Sequence, residues 1–438
     1  MMNSSYRMTE VGLLPDDWDA KRFSECFTLV RNNTYARECL TDHPGSVANV
    51  HYGDVLIKYG AVLDFAKNAA PYLKSDVKPN KDMLRDGDLV FADTAEDEAV
   101  GKAVEVQGVK SRMAVAGLHT VASRPHDGLF APRYLGYYIN SAAYHNQLLP
   151  LITGTKVSSV SRACFLSTYV AIPPKSEQRR IAGALSDVDE LILALGKLIE
   201  KKRNIKTGAM QELLGMRNEE GGMRNVPRRR LPGFSGEWVE KRLGDCGLCF
   251  NGITGKAGSD FGHGEAHYIT FLNVLSNVVI DTEMLDAVDI KCGENQNEVK
   301  RGDLFFNTSS ETAEEVGFCA VLDEEVTSVY LNSFCFGFRL TDDNVSGKFL
   351  AYWFRATGGR ALMTFLAQGS TRYNLSKDAF REACISIPPT LAEQQAIAAV
   401  LSDMDAEIAA LEAKRAKYES IKQGMMQELL TGRTRLEA

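Results

Sequence analysis

Two stretches of the chain carry the same apolar rhythm. Ile181, Leu185, Val188, Ile192, Leu195 and Ile199 alternate steps of four and three, and Ile397, Leu401, Met404, Ile408 and Leu411 repeat the pattern. A 3.5-residue period is a coiled-coil seam, so each stretch predicts a long helix with one apolar edge. Lys201, Lys202, Lys414, Arg415 and Lys417 interrupt or flank the far half of the seam, which keeps both helices partly in water. Each helix is preceded by Ile-Pro-Pro, at Ile172 and Ile387. Paired prolines demand extended chain and end any earlier element. Thr390 with Glu393 predicts a capping box for the second helix, and Ser176 is the expected cap of the first. About 40 residues at 1.5 Å each would make a rod roughly 60 Å long.

The two stretches are copies. Residues 177–217 align without gaps to 393–433, with about half the positions identical, and both close on Gln-Glu-Leu-Leu. Such self-similarity organises a fold before any single motif does. The similarity extends outward: Trp18, Lys21, Arg22 and Cys26 recur as Trp238, Lys241, Arg242 and Cys246. Gly87-Asp88-Leu89, Tyr134-Leu135 and Gly154-Thr155 recur, 215 residues on, as Gly302-Asp303-Leu304, Phe349-Leu350 and Gly369-Ser370. The globular halves therefore share one fold. Strand patterns at 88–91, 168–172, 303–306 and 384–387, with short aromatic helices near 133–149 and 348–366, predict mixed α/β domains. The expected architecture is α/β, two similar domains separated by two long coiled-coil helices in a pseudo-two-fold repeat. Its boundaries are 1–171 and 232–386 for the domains, 172–217 and 387–438 for the helices, and 218–231 for a Gly- and Arg-rich linker.

Composition narrows the function classes. A length of 438 residues calls for two or three domains. The hydrophobic share of 45% and charged share of 24% exclude disordered and fibrous classes. No segment suits a membrane span or a signal peptide, so a cytoplasmic location is expected. Nine scattered cysteines read as reduced thiols. The net charge of −7 means that any nucleic acid contact must come from local basic faces. Cys246-x-x-Cys249 followed by His263-x-x-x-His267 has zinc-site spacing, but Gly262 and Gly264 flank His263 where a zinc finger needs a helix, and Cys249 faces Leu29 in the other half. No metal is expected. Glycine-rich cofactor turns, amino-methyltransferase motifs and phosphate-binding loops are also missing, so no catalytic residue is nominated.

The order domain, helix, domain, helix, with Ile-Pro-Pro leading into Glu-Gln and with Trp238 to Asp245 reading Trp-x-x-x-x-Leu-Gly-Asp, resembles the specificity subunits of type I restriction-modification enzymes. The resemblance covers the whole chain. It departs where Phe23-Ser24-Glu25 replaces Leu-Gly-Asp, and in a first helix lead-in one residue shorter than the second. It implies antiparallel helices, two target-recognition domains each docked in one half of a split double-stranded DNA site, and two methyltransferase subunits bound alongside. Motor and nuclease subunits would complete the assembly. S-adenosylmethionine, ATP and magnesium are then expected on those partners, with no cofactor on this chain. Two other readings compete with this one: a specificity chain of a combined restriction-methylation enzyme without a separate motor, and a coiled-coil adaptor without DNA readout.

Base edges are read by Arg, Lys, Asn and Gln, and loops present such side chains best. The equivalent loops after Gly154 and Gly369 combine glycine, hydroxyls and a basic residue, which suits approach to a phosphate backbone. They nominate Thr155, Lys156, Ser158 and Ser159 in the first half, and Ser370, Thr371, Arg372, Tyr373 and Asn374 in the second. Lys58 and Arg112, and Asn251, Thr254, Lys256 and Thr308, are further candidates. Arg228-Arg229-Arg230 reads either as a phosphate contact or as solvated linker.

Overall fold

The computed structural model describes residues 5–79, 82–109, 112–219, 222–291 and 293–436. Spatial compactness divides the chain into two units, residues 1–196 with 413–438, and residues 197–412.

In the first unit, β1 (Phe27–Val30), β2 (Val62–Asp64), β3 (Leu89–Ala92), β4 (Ala103–Gln107) and β5 (Thr120–Pro125) form a sheet in the order β1-β5-β3-β4-β2. Only β4 with β2 is parallel. Successive residues on these strands face opposite layers. Leu89, Phe91, Ala103 and Val121 join a core built with the aromatic helices, while Val90, Ala92, Val104, Val106 and Ala122 join a second core. Burial on both faces explains why β3 reads as an unbroken apolar run. In the second unit, β6 (Gly247–Asn251), β7 (Leu304–Asn307), β8 (Cys319–Val321) and β9 (Cys335–Leu340) form a sheet in the order β6-β9-β7-β8. Leu304, Phe306 and Phe338 face its helices, and Phe305, Ala320 and Cys335 the opposite core. Register repeats as well: Val90 opposes Ala122, and Phe305 opposes Gly337, each 215 residues on.

Four helices position the candidate site and join the halves: α1 (Arg162–Ser167), α2 (Lys175–Leu214), α3 (Lys377–Glu382) and α4 (Leu391–Leu429). The seam positions Ile181, Leu185, Leu195, Ile199, Ile397, Leu401 and Ile408 are buried, while Val188 and Ile192 are half-buried. Each unit draws on both long helices. In the first, Met426, Leu429 and Leu430 of the α4 end share a core with Trp18, Ile181 and Leu185, and Lys422 pairs with Asp189 at 2.6 Å. In the second, Leu213 and Leu214 of the α2 end join Trp238, Ile397 and Leu401. There Lys202, Arg203 and Lys206 pair with Glu407, Glu412 and Asp405 at 2.6, 2.5 and 2.5 Å. From Arg203–Glu412 to Lys206–Asp405 the numbers rise on α2 as they fall on α4, so the two run antiparallel over that stretch.

The structure adds detail to the sequence expectations and changes some of them. Ser176 lies inside the first turn of α2, because the Glu177 and Gln178 amides donate to the Pro174 carbonyl at 2.9 and 3.0 Å and the helix starts earlier. Thr390 Oγ1 does accept from the Glu393 amide at 3.3 Å, but the Glu393 carboxylate is drawn to Arg230 at 2.5 Å, leaving half a capping box. Residues 133–149 hold two short helices, Tyr134–Ile139 and Ala142–His145. Asn140 ends the first by donating to the Gly136 carbonyl at 2.7 Å, a side-chain bond that competes with the helix. Likewise 348–366 is broken at the extended Ala356 into Gly347–Arg355 and Thr357–Leu366. Finally, the stretch read as linker pairs as a hairpin, Met216–Glu219 with Gly222–Pro227, and the Arg228 and Arg229 amides then donate to the Gly215 and Glu212 carbonyls at the end of α2.

Candidate nucleic-acid interface

One end of each main sheet gathers the same set of loops. In the first unit the Gly154 turn precedes Ser158–Ser159, which pairs with Thr94–Ala95. In the second the Gly369 turn precedes Tyr373–Leu375, which pairs with Ser309–Ser310. Gly154 has φ +111° and Gly369 +143°, and a Cβ on either would collide with the carbonyl oxygen three residues on, Val157 or Arg372. Only glycine closes this turn without strain. Thr155, Lys156, Ser370, Thr371, Arg372 and Asn374 are exposed, while Ser158, Ser159 and Tyr373 are half-buried. Neither Lys156 nor Arg372 has an ion pair among the described residues. The basic residue is third in one turn and fourth in the other, so the same backbone presents different chemistry.

The other nominated residues divide. Asn251, Thr254, Lys256 and Thr308 all line one concavity of about 480 Å³, with Ser333 and Lys377. Lys256 is not free there. Its side chain is 5% exposed and its amine pairs with Glu294 at 2.6 Å, so it holds the wall together. Thr254 is pinned by Gln296, which accepts from its amide at 3.1 Å and donates to its carbonyl at 2.9 Å. Thr308 Oγ1 donates to the Phe334 carbonyl at 2.7 Å. Lys58, at the end of the short helix Tyr52–Ile57, and Arg112 are exposed, and among the described residues no hydrogen bond or ion pair ties either to the Gly154 turn. Arg230 is committed to Glu393, which argues for the structural reading of that arginine. Among the described residues no three His, Cys, Asp or Glu side chains gather for a metal; His263 and His267 are exposed, whereas Cys246 is buried.

Sequence reasoning missed two similar clamps, whose helix starts correspond while their asparagines sit one strand position apart. Arg162, the first residue of α1, donates to Asn32 Oδ1 at 2.5 Å, and Lys377, the first residue of α3, donates to Asn251 Oδ1. Ser161 and Ser376 cap these helices through the Cys164 and Ala379 amides. The signal was present: Ser161, Arg162 and Phe165 recur 215 residues on as Ser376, Lys377 and Phe380. His119 and Phe334 also correspond, each accepting through its carbonyl from Asp93 or Thr308 at 3.1 and 3.0 Å. Nearby, burial holds the His51 imidazole below its usual range, and its Nδ1 accepts from the Gly53 amide, which fits a neutral ring.

The two mixed α/β units are built alike here, each pairing a glycine turn with a basic helix start at one sheet end. Residues 236–422 match the type I restriction modification DNA specificity domain. The chain is 23% identical to a protein of Methanocaldococcus jannaschii named as a candidate type I restriction enzyme MjaX specificity subunit, over 99% of this chain and 97% of that one. It is 21% identical to the type I restriction enzyme EcoKI specificity subunit of Escherichia coli, over 86% and 80%. The fold also matches the S subunit of a type I restriction-modification system from M. genitalium, with a TM-score of 0.55, 12% identity and coverage of 96% and 99%. A chain from a structure on assembly and conformational transition of a type I system gives 0.56 and 16%, again over 96% and 99%. The family's domain thus matches residues 236–422, and the likeness to these specificity subunits runs along nearly the whole chain. No helix among the described residues is long and apolar enough to cross a membrane.

Proposed function

We propose that this chain is the DNA-reading component of a type I restriction-modification assembly. It binds a bipartite, asymmetric duplex site, one half-site per unit, and brings methyltransferase and motor-nuclease subunits to it. The observation that carries this reading is the duplicated loop end: the same turn and the same clamped helix start, with different exposed side chains at equivalent positions. Shared backbone with divergent side chains is what two related readers of two different sequences require. The chain's own contribution is binding, with S-adenosylmethionine, ATP and magnesium held by its partners. The paired helices act as the spacer that fixes the unread gap. Genome-wide methylation mapping in strains with and without the gene tests this. The expected result is loss of one motif made of two different short sequences separated by a fixed run of unread base pairs. A continuous or palindromic motif, or an unchanged methylome, would refute it.

A further inference from the structure

Asn251 closes β6 opposite Phe336, and its own carbonyl accepts from Asn297 Nδ2 at 3.1 Å, so its backbone is fixed. Its exposed carboxamide is oriented as well, because Oδ1 accepts from the Lys377 ammonium, which lies 5.9 Å from the centre of the Phe336 ring. One Oδ1 lone pair and both Nδ2 hydrogens remain, and Nδ2 has no partner among the described residues. Across Thr308 from this amide stands Phe334, 57% exposed and without a ring partner among the described residues. Its amide donates to Asn332 Oδ1 at 2.9 Å, and its carbonyl accepts from the amide and hydroxyl of Thr308. An aromatic ring is thus held in water on a backbone bonded at both ends. The first unit differs at both positions. By strand register Arg31 stands where Asn251 does, the neighbouring Asn32 has its Oδ1 taken by Arg162 and its Nδ2 donating to the Gly117 carbonyl at 3.2 Å, and His119 replaces Phe334.

In the major groove adenine offers N7 as acceptor and N6 as donor, the complement of a carboxamide edge, while thymine offers a methyl group suited to an apolar side chain. Guanine would set its O6 acceptor against Oδ1, and cytosine has no methyl. Resting on the DNA-reading function proposed above, we propose that the second unit selects A·T pairs in its half-site, through the Asn251 carboxamide on adenine and the Phe334 ring on the thymine methyl. Lys377 is the positioning residue that holds the amide. The first unit has an arginine, Arg31, at the equivalent strand position and reads its half-site by other groups.

The test uses the complex of this chain with its methyltransferase partners and labelled duplexes carrying the mapped site, followed by fluorescence anisotropy. Replacing thymine by uracil, or adenine by 7-deazaadenine, at one A·T pair of the second unit's half-site should weaken wild-type binding by about fivefold or more. The uracil penalty should vanish in Phe334→Ala and the 7-deaza penalty in Asn251→Ala, with the other half-site unaffected. Lys377→Met should lose A·T over G·C preference while keeping the salt slope, and Lys377→Arg should restore the preference. Several outcomes overturn the inference while leaving the broader function intact. One is a wild type that binds its bipartite site yet ignores both base analogues at every A·T pair of that half-site. Another is a Phe334→Ala chain that fails only to assemble with its partners. A wild-type complex with no sequence preference at all would overturn the function and the inference together.

Discussion

At the scale of single residues, Glu105 shows how a site can be held by a group the sequence gives no reason to notice. It is 1% exposed and accepts from the Gly136 and Arg133 amides at 2.9 and 2.5 Å and from Gln107 Nε2 at 2.6 Å. Arg133 sits at φ +70°, a conformation that costs a non-glycine residue energy and persists only when its surroundings impose it. Burial pushes the Glu105 carboxyl up to about 7, against the three donors that favour its charged form. An unfolded glutamate titrates near pH 4.3. Between those values the folded chain binds the extra proton, so stability falls as pH rises from about 4.3 to about 7 and is level above. Glu105→Gln should flatten that limb, removing a decline of about 2 to 4 kcal/mol in the first unit. Thermal melts from pH 4.5 to 8 check this, and an unchanged slope in the variant would show that Glu105 is not its source. Strand register places Val321 at the equivalent position in the second unit, so that unit should lack this contribution.

At the scale of elements, the Glu-Gln pair that opens each long helix anchors it to its domain. Gln178 accepts from the Ala131 amide at 2.7 Å and donates to the Leu129 and Pro173 carbonyls. Gln394 does the same with Ser346, Asn344 and Pro388. Glu177 binds Arg435 and accepts from Trp18 Nε1 at 3.0 Å, and Glu393 binds Arg230. In both units the arginine follows the other long helix. The correspondence is incomplete, since the buried Trp238 Nε1 has no partner among the described residues. Lys422 with Asp189 and Tyr137, and Lys206 with Asp405 and Tyr352, repeat a further cluster. Cutting Gln178 or Gln394 back to alanine strands two carbonyls and an amide in each case. Each variant should lose about 2 to 4 kcal/mol from its own unit, since an unsatisfied buried polar group costs about 1 to 3 kcal/mol. Urea unfolding followed by tryptophan fluorescence reads this, and a loss under about 0.5 kcal/mol would mean that water replaces the glutamine.

On the scale of the whole molecule, a net charge of −7 has to be reconciled with the polyanionic partner proposed above. Glu96, Asp97 and Glu98, and Glu311, Glu314 and Glu315, follow the strands that pair with the two glycine turns. Affinity of the assembled complex for its site should fall steeply with salt. Lys156→Ala and Arg372→Ala should each reduce the log–log slope by about one if the side chain meets a phosphate, or weaken binding by about 1 to 3 kcal/mol at a particular base pair if it reads an edge. Binding that is flat from low to moderate salt, or unchanged in both variants, would remove these turns from the interface.

The two long helices and the mixed α/β character of the chain were legible in the sequence, because they rest on local periodicity and on copies that can be aligned. The strand Cys384–Ile387 and the glycine turns followed from the same logic. Tertiary structure alone decided that each compact unit takes segments from both long helices, since the contact of Leu213 with Trp238, or of Leu430 with Trp18, leaves no periodic trace. It also decided which candidates are free. Lys256 and Asn251 look alike as loop residues, but a carboxylate 38 positions away buries one, and a lysine 126 positions away aims the other outward. A side chain's availability is set by neighbours that only the folded chain brings near.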